Sequence, residues 1–261
     1  MNFSRNYLKN LQKNQLKQLK TFAKNPKFVG VRPMIQDIPD ENWVLSKDFD
    51  IFFKTIVDLD LSFDALGFPI HLDNFYIIAS KYPSLRFVID HLMKPKICNN
   101  DQKEFDHWKN GMSKFSNLDN VYCKFSGMVT EACKNWTEDD LKLYTNEIFQ
   151  IFTDKKILWG SDWPVCNLRT NYIGWFNTAQ NLTNELRKNP AMTLEQVQSF
   201  QLPQKKNIDP YTPSEKRLAA NFEVELPQFS KWILVNLRKL RNGIIPPMGD
   251  MRTMDAQNPN Y

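Results

Sequence analysis

With 261 residues and 42% hydrophobic side chains, the chain can bury one core of barrel size. Its net charge of +5 comes from the front, since residues 1–36 hold eight Lys and Arg and no acid, leaving −3 for the remainder. No apolar run suits a signal peptide or a membrane span, and no motif reads bases or cradles phosphate, which sets aside membrane-embedded and nucleic-acid-binding classes. Cys98, Cys123, Cys133 and Cys166 show no metal-type spacing, so reduced thiols in a cytoplasmic protein are expected.

The acid-free start places Leu8, Leu11, Leu16, Leu19 and Phe22 at roughly helical spacing, among lysines. This reads as an outer helix with a solvated basic face, with a mitochondrial targeting segment as the alternative. Residues 27–32 form an apolar strand stopped by Pro33. Ser46 opens a helix over 47–57 with Phe49, Phe52, Phe53 and Ile56 on one face. Residues 61–67 are a weaker strand, and 72–82 a helix carrying Phe75, Ile78 and Ala79. A strand at 86–91 runs into Leu92-Met93-Lys94-Pro95, and Asp101 caps a helix over 102–115. The turn 117–120 leads to a strand ending in Ser126-Gly127. Thr137-Glu138-Asp139-Asp140 approximates a capping box, with Asp at N3 in place of Glu or Gln. The series closes with a strand at 157–159 and a helix at 171–186.

Strand, loop and helix recur about every 25 to 35 residues, the size of a unit in a β/α barrel with a parallel sheet. In such a sheet ligands sit at the carboxyl ends of the strands. The polar residues delivered there are Arg32, His91, Lys124 and Asp162, with Trp163 beside the last. Each also has an ordinary reading. Asp162 can cap a helix, His91 can be a hydrogen-bonded strand-end imidazole, Lys124 a half-exposed strand residue, Arg32 an ion-pair partner and Trp163 simple packing.

Five segments carry a family resemblance: Gly30-Val31-Arg32; Phe63-Asp64; Phe87 to His91 with Lys94-Pro95; Tyr122 to Gly127; and Gly160-Ser161-Asp162-Trp163-Pro164-Val165. In order and spacing, residues 7–186 resemble strands four to eight of the amidohydrolase-related family that includes fuconolactonase-like and dicarboxypyrone lactonase-like hydrolases. The resemblance implies hydrolysis of a lactone or similar carbonyl ester bond. Asp162 would take a proton from the attacking water and return it to the leaving oxygen, and His91 would contact substrate or a metal ion. Arg32 and Lys124 would hold a carboxylate or polarise a carbonyl, and Trp163 would form a flat wall against a sugar-like substrate.

The chain also departs from the family pattern. A His-x-His pair is expected on the first barrel strand, yet the only histidines are His71, His91 and His107. His107 falls on a helix surface, His71 stands one position beyond the family's loop histidine, Phe68 replaces an arginine, and Pro33 a histidine. A mononuclear metal site needs about three or four protein ligands. His91 and Asp162 are two, so no bound metal is expected for this chain, although the family allows zinc or another divalent ion.

Three β/α units of roughly 30 residues precede strand four in a complete barrel of ~250 residues, and on the resemblance they are expected to be absent from this chain. The expected fold is therefore α/β, an incomplete TIM (β/α)8-type barrel over 1–186. Residues 187–261 would add a linker, a short strand near 222–226, an amphipathic helix marked by Phe229, Trp232, Ile233, Leu237 and Leu240, and a tail. Five parallel strands leave two open edges, so the sheet is expected to flatten into an open layer, to recruit a second copy or a partner chain that covers them, or to aggregate. The functional expectation is a lactone hydrolase, with two alternatives: a catalytically inactive scaffold, or a truncated product.

Overall fold

A computed structural model describes residues 15–33, 35–36, 38–98 and 101–188. The linker, strand, amphipathic helix and tail expected beyond the last helix lie outside the described residues, as does the start of the basic helix.

Five parallel strands form one sheet: β1 (Gly30–Val31), β2 (Ser62–Ala65), β3 (Phe87–Ile89), β4 (Val121–Phe125) and β5 (Ile157–Trp159). Their spatial order follows the sequence, β1-β2-β3-β4-β5, so every connection is a crossover to the next strand. The helices are α1 (residues 15–22), α2 (Asp50–Asp58), α3 (Leu72–Lys81), α4 (Gln102–Ser113), α5 (Met128–Glu131), α6 (Glu138–Ile151) and α7 (Tyr172–Lys188). Among the described residues β1 and β5 each pair on one side, as expected for part of a barrel.

Period-two alternation decides which side of the sheet is covered. In β4, Val121, Cys123 and Phe125 are buried while Tyr122 and Lys124 are half-buried. The buried set belongs to an aromatic layer against the helices. Phe63 meets Phe53 of α2 at 5.3 Å and Phe87 of β3 at 5.4 Å, and Phe125 meets Trp175 of α7 at 5.4 Å and Phe149 of α6 at 5.7 Å. The opposite face carries Asp64, Val88 and Tyr122 in one register row and Lys124 with Leu158 in another. Leu158 is 40% exposed in the middle of its strand, so among the described residues this second face is not closed over.

Local signals hold the helices in place. Asp101 accepts hydrogen bonds from the Lys103 and Glu104 backbone N–H groups. Asp140 Oδ2 accepts from the Thr137 N–H at 2.7 Å, so the shorter acid at N3 closes the reach-back arm. Asn171 Oδ1 accepts from the Gly174 N–H and starts α7.

The expectation of four reduced thiols is corrected. Cys98 and Cys133 form a disulfide, with Cα atoms 4.3 Å apart. The loop after β3 runs alongside the carboxyl end of α5, where the Cys98 N–H donates to the Glu131 carbonyl. The partners are 35 residues apart, a pairing made by tertiary approach and invisible as a spacing motif. Cys123 and Cys166 are buried free thiols.

Candidate active site

The site is assembled from the residues just beyond the strand ends. β3 ends at Ile89 and delivers Asp90, which is fully buried. The chain then takes an uncommon path: His91, Leu92, Met93 and Lys94 have φ of 53°, 52°, 58° and 51°, all left-handed and none glycine. Each such residue costs about 1–2 kcal/mol, so the turn persists only because its surroundings determine it. Leu92 and Met93 are fully buried, the Trp108 indole N–H of α4 donates to the Leu92 carbonyl at 2.7 Å, and the Lys94 side chain is paired with Glu131. The reversal carries His91 across the end of the sheet towards β5.

Beneath it lies a charge lattice. Lys124 Nζ sits 2.5 Å from both Asp64 Oδ2 and Asp90 Oδ1, and Arg32 Nη1 lies 3.5 Å from Asp90 Oδ2. Burial alone would lower the Lys124 pKa, but the two carboxylates outweigh it and hold the ammonium above its ordinary range. Asp90 is thereby a buried charge with cationic partners.

His91 occupies a slot made by the end of β4. Its Nδ1 is 2.8 Å from Ser126 Oγ, and its Nε2 is 3.4 Å from Asp162 Oδ1. The ring lies against Gly127, where an added Cβ would come within 2.7 Å of the His91 Cβ, and Gly127 also has φ +71°, so this position excludes side chains twice over. Burial first, then the positive charges of Lys94, Lys124 and Arg32, push the His91 pKa down to about 3, so the imidazole is neutral. Asp162, also left-handed at φ 54°, moves the other way, to about 7. Burial dominates that rise; Lys94 opposes it and Glu131 adds to it. A carboxyl poised near neutrality suits proton transfer to and from water.

The structure thus brings Asp162 and His91 together, and joins Arg32 and Lys124 through Asp90. Lys124 is engaged by two carboxylates, whereas the Arg32 side chain is half exposed and reaches Asp90 at 3.5 Å. Trp163 is partly buried against the core. His71 is buried, with its Nδ1 accepting from the Phe68 N–H at 3.0 Å, and burial lowers its pKa. His107 is exposed, as expected. Sequence reasoning assigned no role to Asp64, Asp90, Lys94, Ser126 or Glu131. Four of these stand inside the recurring strand-end segments, which was the available signal; Glu131 carried none.

The residues do not fit a resident metal. His91 and Asp162 offer two donors, and among the described residues no group of three or more His, Cys, Asp and Glu side chains is placed to hold an ion.

A parallel β/α sheet with an imidazole and a carboxyl side by side at its carboxyl end has the layout on which β/α-barrel sites are built. A family model for amidohydrolases matches residues 11–192, and the chain belongs to that family. An L-fucono-1,5-lactonase of Burkholderia ambifaria is 36% identical over 152 residues, covering 58% of this chain and 51% of that protein. Among solved structures, an amidohydrolase from Burkholderia multivorans with bound HEPES superposes with a TM-score of 0.62 at 24% identity, covering 72% of this chain and 70% of that one. An amidohydrolase from the same species with bound zinc gives 0.58 at 24% identity, covering 66% and 60%. These likenesses establish the shared fold. The chain spans about half the length of the curated relatives it matches.

Proposed function

We propose that this chain is a hydrolase acting on a sugar-like lactone, with Asp162 as the general base for water. The observation that carries the reading is the His91–Asp162 pair, held across the carboxyl ends of β3 and β5. The fuconolactonase relative supports the substrate class.

In this reading the Asp162 carboxylate removes a proton from water as the water oxygen bonds to the lactone carbonyl carbon. The carbonyl π electrons move to oxygen, where the half-exposed guanidinium of Arg32 offers stabilisation. As the tetrahedral species collapses, the ring C–O bond breaks and the leaving alkoxide takes the proton from Asp162. Lactone and water give a hydroxy acid, and the carboxylate is restored. Trp163 would wall the ring, and Lys124 would act through Asp90 by keeping the strand ends in register.

The test is hydrolysis of aldono-1,5-lactones by the purified chain, followed with a pH indicator. Asp162→Asn should lower the rate roughly 100- to 10,000-fold. Full activity in that variant would remove Asp162 as the base. A non-catalytic scaffold is the second reading, favoured by the engagement of Lys124 with two carboxylates of its own chain. A folded wild-type chain that is inert towards every lactone offered would select it.

A further inference from the structure

We propose that Ser126 is a positioning residue that fixes the tautomer of His91, so that the imidazole presents Nε2–H to Asp162. The Ser126 residue is fully buried, and among the described residues its hydroxyl has one hydrogen-bond partner, His91 Nδ1 at 2.8 Å. A hydroxyl carries one hydrogen, and a buried hydrogen without an acceptor forfeits a whole hydrogen bond. If Nδ1 held the proton, it would donate to Ser126 and leave that hydroxyl hydrogen with no acceptor. The satisfied arrangement has Ser126 donating and Nδ1 accepting. The ring proton of the neutral imidazole then sits on Nε2, 3.4 Å from Asp162 Oδ1.

The alternative tautomer would aim a lone pair at a carboxylate oxygen, a repulsive contact whenever Asp162 is in its base form. Ser126 thus chooses the state in which Asp162 is both held and stabilised. The slot leaves the ring little freedom to escape this choice. An added Cβ on Gly127 would strike the His91 ring atoms Cγ at 2.8 Å and Nδ1 at 2.9 Å, and one on Gly160 would meet the Ser126 Cβ at 3.2 Å. Ser126, His91 and Asp162 fall in the order of a nucleophilic triad, but the enclosed hydroxyl is barred from a bound carbonyl, which leaves orientation as its role.

The inference deepens the reading above, and its decisive test needs no turnover. Nitrogen-15 NMR of histidine-labelled full chain, with His91 assigned by the loss of its signals in His91→Gln, should show Nδ1 unprotonated and Nε2 protonated at pH 8. Ser126→Ala should shift His91 to mixed or reversed nitrogen signals, and Ser126→Thr, which keeps the hydroxyl, should restore the wild-type pattern. A protonated Nδ1 in the wild type overturns the proposal, and so does an unchanged pattern in a folded Ser126→Ala. The wild-type spectrum decides the matter even if the variants fold poorly. In a lactonase assay, Ser126→Ala should lower kcat at least 10-fold with KM changed less than 3-fold. An inert wild type with the expected nitrogen pattern would sink the hydrolase reading and spare the tautomer; an active wild type with Nδ1 protonated would do the reverse.

Discussion

Replacing Asp90 with Asn is the sharpest perturbation of the charge lattice. The substitution keeps shape and removes charge, so Lys124 loses a carboxylate at 2.5 Å and meets an amide in its place. Breaking a buried ion pair by removing one partner costs about 3–5 kcal/mol, because the remaining charge is left uncompensated. Two features of this site reduce that figure: the Lys124 side chain keeps Asp64 at 2.5 Å, and it is 26% exposed. The Arg32 contact at 3.5 Å is half in solvent and adds at most about 1 kcal/mol. The expected loss is therefore about 2–3 kcal/mol, or roughly a 30- to 150-fold shift of the folding equilibrium. Urea denaturation monitored by tryptophan fluorescence measures it, provided the m-value is unchanged. Asp90→Leu combined with Lys124→Met should recover much of the loss, since apolar replacement of a buried pair is often neutral. A folded Asp90→Asn within about 0.5 kcal/mol of wild type, the range of an ordinary surface change, would refute the view that this carboxylate compensates Lys124.

Further outcomes concern the two shifted groups and their slot. In the proposed reaction Asp162 would act as a base only when ionised; with its pKa near 7, kcat/KM for lactone hydrolysis should climb about tenfold per pH unit below that value and flatten above it. A profile flat from pH 5 to 8 would contradict the assignment. For stability the two groups oppose each other. Asp162, raised in the folded state, contributes stability present below about pH 4 and lost as pH rises through 7, whereas His91, lowered to about 3, contributes stability present above about 6.5 and lost as pH falls. Asp162→Asn removes the first contribution, so the melting temperature of the variant should rise with pH between 4 and 6.5 more steeply than that of wild type; parallel curves would reject this. Gly127→Ala should cost about 1–2 kcal/mol for the left-handed backbone alone, and more for the contact with His91, as read by the same denaturation assay. A variant as stable as wild type would show that the His91 slot yields.

The strands were legible because each is a short apolar run closed by glycine, proline or a turn. β5 occupies the expected residues 157–159, whereas the expected first strand contracts to Gly30–Val31 at the sheet edge. Asp162 and His91 were legible as strand-end polar residues, and the structure puts them in contact. The left-handed path of residues 91–94 was not, because positive φ is signalled in sequence by glycine or asparagine and this turn uses His, Leu, Met and Lys. Its conformation is imposed by burial and by the Trp108 hydrogen bond, which are tertiary facts. The same holds for the Lys124 lattice: Asp64 and Asp90 meet one ammonium only because adjacent strands bring them to one face. The Cys98–Cys133 bridge likewise joins two loops that sequence separates.

The indole of Trp108 has a wider meaning. It belongs to the outer layer, on α4, yet it pins the carbonyl of the residue following His91. A change in how α4 seats against the sheet would release that peg and let the reversal relax towards right-handed geometry, swinging the imidazole away from Asp162. The helix layer is thus mechanically geared to the His91–Asp162 contact, and substitutions beneath α4 should register first as a misplaced ring.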